Sequence, residues 1–152
     1  MKEPKQLSVV AIENGTVIDH IPAKDLFKVI QILGLDKIDN QITFGTNLDS
    51  KKLTQKAIIK ISDVFFEDED LNRIALVAPD AKLNIIRDYE VVEKKVVKVP
   101  NSITGIAKCM NPKCITNFEP ITTKFKVISR KNVELKCHYC EKITNQENLQ
   151  II

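Results

Sequence analysis

Tryptophan is absent, histidine occurs twice and glycine four times in 152 residues. With so few glycines there is no Gly-x-Gly-x-x-Gly fingerprint, no phosphate-binding Gly-x-x-x-x-Gly-Lys loop and no Gly-x-Ser-x-Gly elbow. His20 and His138 leave acid–base chemistry little to work with. Asp19-His20 has the makings of half a catalytic pair, but no nucleophile stands at a recognisable spacing. No apolar run approaches the roughly 20 residues of a membrane span. Met1 to Gln6 is polar with no apolar segment behind it, so a secretory leader is not expected. These absences point away from an enzyme and a membrane protein, toward a binding module expected in the cytoplasm.

What is present is a set of four cysteines, Cys109-x4-Cys114 and Cys137-x2-Cys140, with 22 residues between the pairs. Four soft thiolates make a closed tetrahedral zinc site with no open position, so such a site is structural. Two disulfides are the alternative reading, and a redox role for Cys137 and Cys140 is a third. A reducing compartment favours metal over disulfide, and the second pair argues against redox chemistry. His138, inside the second pair, is surplus as a ligand and is expected to face outward.

Charge divides the chain in the same place. Residues 1–100 carry 15 basic and 16 acidic side chains, net −1, whereas residues 101–152 carry 8 and 4, net +4. The basic excess suits an acidic protein surface or nucleic acid. The carboxylate run Glu67–Asp70 reads as a solvated helix start.

Periodicity predicts strands at Gln6–Glu13 and Thr16–Ile21, with Asn14-Gly15 turning between them. Pro22 suits the first turn of a helix whose apolar stripe is Leu26, Phe27, Ile30 and Leu33, stopped by Gly34. Strands at Gln41–Asn47 and Ala57–Ile61 form a hairpin around the polar turn Asp49–Thr54. Asp68 is expected to cap a short helix carrying Leu71, Ile74 and Ala75, broken at Pro79-Asp80. Lys82–Arg87 and Glu90–Val99 complete this half. The order is β-α-β-β-α-β with an added strand, the split βαβ plan. The predicted class is therefore α+β: an N-terminal ferredoxin-like antiparallel sheet with two helices over residues 1–100. Pro100-Asn101-Ser102 is the boundary to a small all-β zinc domain over 101–152, with strands at Ile106–Lys108, Phe125–Ser129 and Val133–Lys136. That second core is small, and metal binding is expected to supply much of its folding free energy.

The segment Asn14–Pro22 is unusual because Asp19 and His20 interrupt an apolar extended stretch. Lys56, Lys60, Lys94 and Lys95 lie on or beside strands that adjoin it. A carboxylate, an imidazole and several ammonium groups at one sheet edge suit a nucleotide. Ordinary surface charge is the alternative.

NGTVIDHIPA at 14–23, ITFGTNLDSKK at 42–52, KAIIKI at 56–61, APDAKLNIIRDYEVVEK at 78–94, CMNPKCI at 109–115 and LKCHYCEK at 135–142 together resemble the regulatory chain of aspartate carbamoyltransferase. The resemblance runs along essentially the whole chain. It implies a chain without activity of its own, a self-dimer through the N-terminal domain, and one structural zinc per chain. It implies an assembly of two catalytic trimers with three regulatory dimers, in which ATP raises and CTP lowers the rate, UTP adding to CTP in some members and Mg accompanying the nucleotides. Pyrimidine biosynthesis is the pathway so implied.

Carried over by resemblance, the nucleotide pocket falls on Val9, Ala11, Ile12, Asp19, His20, Lys60, Asn84, Ile86, Tyr89, Val91 and Lys94. Ile12 and Tyr89 would offer backbone groups to the base, Asp19 would sit at the ribose, Lys60 at ribose and base, and His20 and Lys94 at the phosphates. Val96 stands where the pattern has a basic residue, with Lys95 as its substitute, and Met1 to Lys5 departs as well. Asn111, Lys113, His138, Tyr139 and Glu141 on the two zinc loops would face the catalytic chain. A zinc-ribbon nucleic-acid binder is the competing reading, disfavoured by sparse basic and aromatic residues in 101–152. An amino-acid sensor and a small enzyme are weaker alternatives.

Overall fold

The computed structural model describes residues 11–51 and 54–152. In chain order the elements are β1 (Gly15–Pro22), α1 (Leu26–Ile32), β2 (Ile42–Ser50), β3 (Thr54–Ser62), α2 (Asp68–Ile74), β4 (Lys82–Arg87) and β5 (Glu90–Val96). They are followed by β6 (Ser102–Thr104), β7 (Ala107–Lys108), β8 (Lys124–Ser129), β9 (Glu134–Cys137), β10 (Ile143–Asn145) and β11 (Gln150–Ile151). The first five strands form one antiparallel sheet in the order β2-β3-β1-β4-β5, which is the split βαβ order with β5 appended. The protein is α+β, and its C-terminal region is all-β apart from single 3-10 turns.

Alternation decides which face is covered. Thr16 and Ile18 of β1 stand opposite Ile61 and Ile59 of β3 and Ile85 and Leu83 of β4. All six are buried, and the helices add Leu26, Val29, Leu71 and Ile74 to the same core. The intervening positions, Val17, Lys60, Asn84 and Lys94, lie on the helix-free face, because cross-strand partners share a face and the period is two. Gly15 starts β1 at φ +142, and a side chain there would meet the Ile61 carbonyl oxygen at 2.0 Å. Gly34 ends the helical segment at φ +64, the left-handed conformation glycine takes without cost.

Several expectations shift. Most of the strand expected at Gln6–Glu13 lies outside the described residues, and 11–13 are not extended into a ladder. Pro22 closes β1 and precedes a 3-10 turn, Ala23–Asp25, so α1 begins later than expected. That delay puts Val29 into the core and leaves Phe27 69% exposed, edge-on to Phe44 at 6.2 Å. Asp68 does not cap α2: Glu67 is the N-cap residue, without a side-chain cap bond, and Asp68 instead binds Lys95 Nζ at 2.9 Å. The last strand stops at Val96, after which the Lys98 N–H donates to Asn72 Oδ1 at 3.1 Å.

In the C-terminal region a four-stranded sheet runs β10-β9-β8-β6, and β11 pairs with β7. Phe125, Leu135, Ile103 and Leu149 are buried in the same continuous core as Ile18 and Leu83. Side chains stitch the halves together. Gln31 Nε2 on α1 donates to the Ile151 carbonyl at 3.1 Å, and Gln146 Nε2 donates to the Leu76 carbonyl at 3.4 Å. Arg130 Nε donates to the Val99 carbonyl at 3.2 Å, and its guanidinium also reaches the Asn101 side chain.

Candidate functional site

The first cysteine pair flanks a loop that follows β7, and the second begins at the end of β9. The four Sγ atoms lie within 4.8 Å of one another, with Cys109–Cys140 at 3.6 Å and Cys114–Cys137 at 3.7 Å. None of the four forms a disulfide. A zinc–sulfur bond of about 2.3 Å in a tetrahedron sets sulfurs roughly 3.8 Å apart, so these separations fit a tetrahedral thiolate site. Burial pushes the Cys109 and Cys137 thiols up. Burial also acts on Cys140, but the Asn111 side chain and the Lys142 backbone, followed by Cys109 and Cys137, bring it down to about 7. A coordinated cation offsets the burial penalty, because coordination displaces the thiol proton. The residues present therefore fit a structural metal.

The loops are tied beyond the sulfurs. Asn117 Nδ2 donates to the carbonyls of Cys109 and Asn111, at 3.2 and 2.7 Å. The Lys113 N–H donates to Asn111 Oδ1 at 3.0 Å, and the Tyr139 N–H points at Cys137 Sγ at 3.4 Å. Asn117 escapes a cysteine-only reading, although an amide three residues after a ligand is a fair signal for a loop clasp. His138 is exposed, edge-on to Tyr139 at 5.0 Å, and is not among the clustered donors. Lys113 and Glu141 are exposed as well, Glu141 at φ +64, while Asn111 is half-buried. The residues proposed to face a partner thus rim the cage, with Asn111 built into it.

The second arrangement lies on the helix-free face of the large sheet. Lys60, Val17, Asn84 and Lys94 are successive partners across β3, β1, β4 and β5. Burial pushes the Lys60 ammonium below its ordinary range. At one end, Asp19, His20, Lys82, Asn84 and Lys94 line a cleft of about 340 Å³. A register shift between Ile18 and Ile21 bulges Asp19 and His20 out of the β1–β3 ladder, and His20 takes φ +62. Bulges re-aim side chains, and a non-glycine residue at positive φ costs about 1–3 kcal/mol. Asp19 is engaged: its carboxylate takes Lys56 Nζ at 2.9 Å and the His20 N–H at 2.6 Å. His20 Nδ1 is buried 3.6 Å from Asp19 Oδ1, beyond hydrogen-bond distance.

At the other end, Ala11, Ile12, Thr43, Ser62 and Tyr89 line a smaller cleft of about 270 Å³. Asp88 and Tyr89 both have positive φ, the pattern of a two-residue hairpin turn. The Tyr89 N–H donates to the Glu13 carbonyl at 2.9 Å, which leaves its carbonyl as the backbone group to offer a ligand. Ile86 is buried and Val91 half exposed beside it, as cross-strand partners. Val9 lies outside the described residues. Lys95, the substitute for the basic residue missing at Val96, also lines the first cleft, while its Nζ is 2.9 Å from Asp68 and 3.9 Å from Glu93. Among the described residues no helix is long and apolar enough to cross a membrane.

The family described as aspartate carbamoyltransferase regulatory chain, allosteric domain, matches residues 7–98, and its metal binding domain matches residues 101–150. A chain of that name from Bacteroides fragilis is 60% identical over 153 residues, spanning all of both chains. One from Porphyromonas gingivalis is 53% identical over 152 residues, again spanning both. One from Pyrococcus horikoshii is 53% identical over 146 residues, covering 95% of this chain and 96% of its own. This chain belongs to the family of aspartate carbamoyltransferase regulatory chains, with an allosteric and a metal-binding domain and a regulatory rather than catalytic role.

Proposed function

We propose that the sheet face between the two clefts binds a nucleoside triphosphate, CTP, ATP or UTP with Mg, and that zinc is the metal in the thiolate cage. The cleft that gathers His20, Lys82, Asn84 and Lys94 around the Asp19 bulge carries the reading, because several cationic donors converging on one concave site suit a phosphorylated ligand. Lys94, Lys82 and His20 offer donors for phosphate oxygens at one end, and Ile12 and Tyr89 frame a base at the other. Lys60, partly desolvated between them, gains from an anionic neighbour. Asp19 serves by holding Lys56 and the bulge as much as by meeting a ribose.

The division at residues 100 and 101 assigns nucleotide binding to one domain and docking to the other. Asn111, Lys113, His138, Tyr139 and Glu141 would meet the catalytic chain in the cytoplasm, in an assembly of two catalytic trimers and three regulatory dimers. Self-pairing of the N-terminal domain would make each dimer. Transmission has a contiguous route. The bulge at His20 leads through Pro22 into α1, and Gln31 of α1 holds the Ile151 carbonyl of β11. β11 pairs with β7, whose last residue precedes Cys109. Two sites joined by packed elements are the minimum for a coupling free energy.

The test is calorimetric titration of the zinc-loaded chain with CTP and ATP, followed by rate measurements after reassembly with catalytic trimers. Saturable binding that weakens in Lys94→Gln, together with a nucleotide-dependent rate, supports the reading. Absence of binding by either nucleotide sinks it.

A further inference from the structure

A cleft larger than either of those above lies in the other half. At about 550 Å³ it lies along the open face of the four-stranded sheet, lined by Asn101, Ser102, Thr104, Lys124, Lys126, Lys136, His138 and Glu141, with Ile103 and Phe125 beneath. Register builds it. Ser102, Lys126, Lys136 and Ile143 are successive partners across β6, β8, β9 and β10. Thr104 is partnered by Lys124, whose carbonyl accepts the His138 N–H at 2.9 Å. Phe125, Ile103 and Leu135, one residue out of step, are buried, so all three lysines stand on the outer face.

Lys126 and Lys136 are directly opposite, and like charges in that position destabilise a sheet. None of the three lysines forms an ion pair or hydrogen bond through its side chain with a described residue. The face therefore holds a charge repulsion that the fold itself does not relieve, with His138 and Glu141 of the cage rim at its end.

We propose that this sheet face is a docking surface for an acidic polypeptide segment of the catalytic chain, continuous with the cage rim, and that the lysine rows meet its carboxylates. The inference rests on the partner reading above and deepens it. It extends the charged contact from the zinc loops onto the sheet. A polypeptide suits the face better than nucleic acid. Phe125 is 2% exposed, so a base entering the cleft would find no open phenyl ring to stack on, and His138 stands only at its end.

The experiment measures association of the full zinc-loaded chain with catalytic trimers from the same source, by interferometry and light scattering over a salt series. Wild type, Lys126→Gln/Lys136→Gln and Lys126→Glu/Lys136→Glu are compared. Lys37→Glu/Lys98→Glu serves as a charge control on the other half. We expect the glutamine pair to associate at least tenfold more weakly with a shallower salt dependence, the glutamate pair more weakly still, and the control to behave as wild type. We also expect the glutamine pair to bind a full equivalent of zinc and to melt no lower than wild type, because the opposed charges are gone. A merely structural role for the lysines would move stability and association down together.

Wild-type association with unchanged affinity in both variants would overturn the inference and leave the partner reading intact. Failure of the wild type itself to associate would overturn both. Tight, salt-sensitive capture of a labelled single-stranded 20-mer, lost in the glutamine pair, would reassign the face to nucleic acid.

Discussion

In the N-terminal half, β1 and β3 bury Ile18, Ile21, Ile59 and Ile61 completely beneath two helices. In the C-terminal half, strands of two to six residues hang on four sulfurs. The first half organises itself by apolar area, at roughly 1.5–3 kcal/mol for each large side chain taken out of water. The second has fewer such side chains, among them Phe125, Leu135 and Leu149, and all seven of its lysines are exposed. Cross-linking by a metal supplies what area does not. The contrast has a functional side: a metal-held half presents charged faces without needing a large core behind them, while the sheet of the other half has a face to spare for a ligand.

Removing the metal is the strongest way to break this comparison. Chelation, or Cys114→Ser, is expected to unfold residues 101–152, since structural zinc contributes on the order of 10–16 kcal/mol in small metal-folded domains. Hydrogen exchange checks it: protection should vanish in β8 and β9 and persist in β1 and β3. Because the ligands must be thiolates, binding releases protons, so affinity rises with pH and the metal leaves on acidification. A zinc titration at several pH values reads that slope. Loss of protection in both halves together would mean that the shared core makes them one cooperative unit.

The reverse break is Ile59→Ala, at a fully buried position of the central sheet. Loss of about 2–5 kcal/mol is expected from transfer and cavity together. Denaturant melts should show it while bound zinc stays at one equivalent. Lys94→Gln comes next and sharpens the ligand side. A hydrogen bond to a charged group contributes about 1.5–3 kcal/mol, so nucleotide affinity should fall roughly 10- to 100-fold without change in stability. Calorimetry decides this.

How far these contrasts were legible in the amino-acid order depends on which interaction sets them. The four cysteines, the strand Lys82–Arg87 and the left-handed Gly34 follow from local chemistry, and the structure has all three. The sheet order follows from the element order. Phe27 does not follow, because a 3-10 turn ahead of α1 rotates the stripe and gives its place to Val29. The ion pair of Lys95 with Asp68 does not follow either, since its neighbour Lys94 has the same charge and only strand parity separates the two. The bulge that lifts Asp19 and His20 is a property of pairing with β3, a partner some forty residues away.

A finer probe of the ligand face is its proton linkage. Burial holds Lys60 below the ordinary ammonium range. An anionic ligand beside it raises that value again, so binding takes up protons wherever the pH lies between the free and bound values. The Lys60 contribution to affinity is fully present below the depressed free value and is lost as pH rises from there through the bound value. Calorimetry in two buffers of different ionisation enthalpy should show net uptake at alkaline pH, reduced in Lys60→Gln. Equal uptake in the variant would place the linked proton elsewhere.

The smallest expected effect bears on the seam between the halves. Gln31 Nε2 and the Ile151 carbonyl form an exposed, neutral hydrogen bond, of the kind that contributes about 0.5–1.5 kcal/mol. Gln31→Ala should therefore cost little stability and leave the clefts, which Gln31 does not line, with unchanged nucleotide affinity. If the His20 bulge communicates through α1 to β11, the nucleotide effect on the reassembled enzyme should shrink nonetheless. The remaining ties, Gln146 to Leu76 and Arg130 to Val99, do not run through α1. A full nucleotide response in Gln31→Ala would shift the coupling to those ties. A response lost there and kept in Gln146→Ala would assign it to α1, making the metal-held half a reader of the position of one helix.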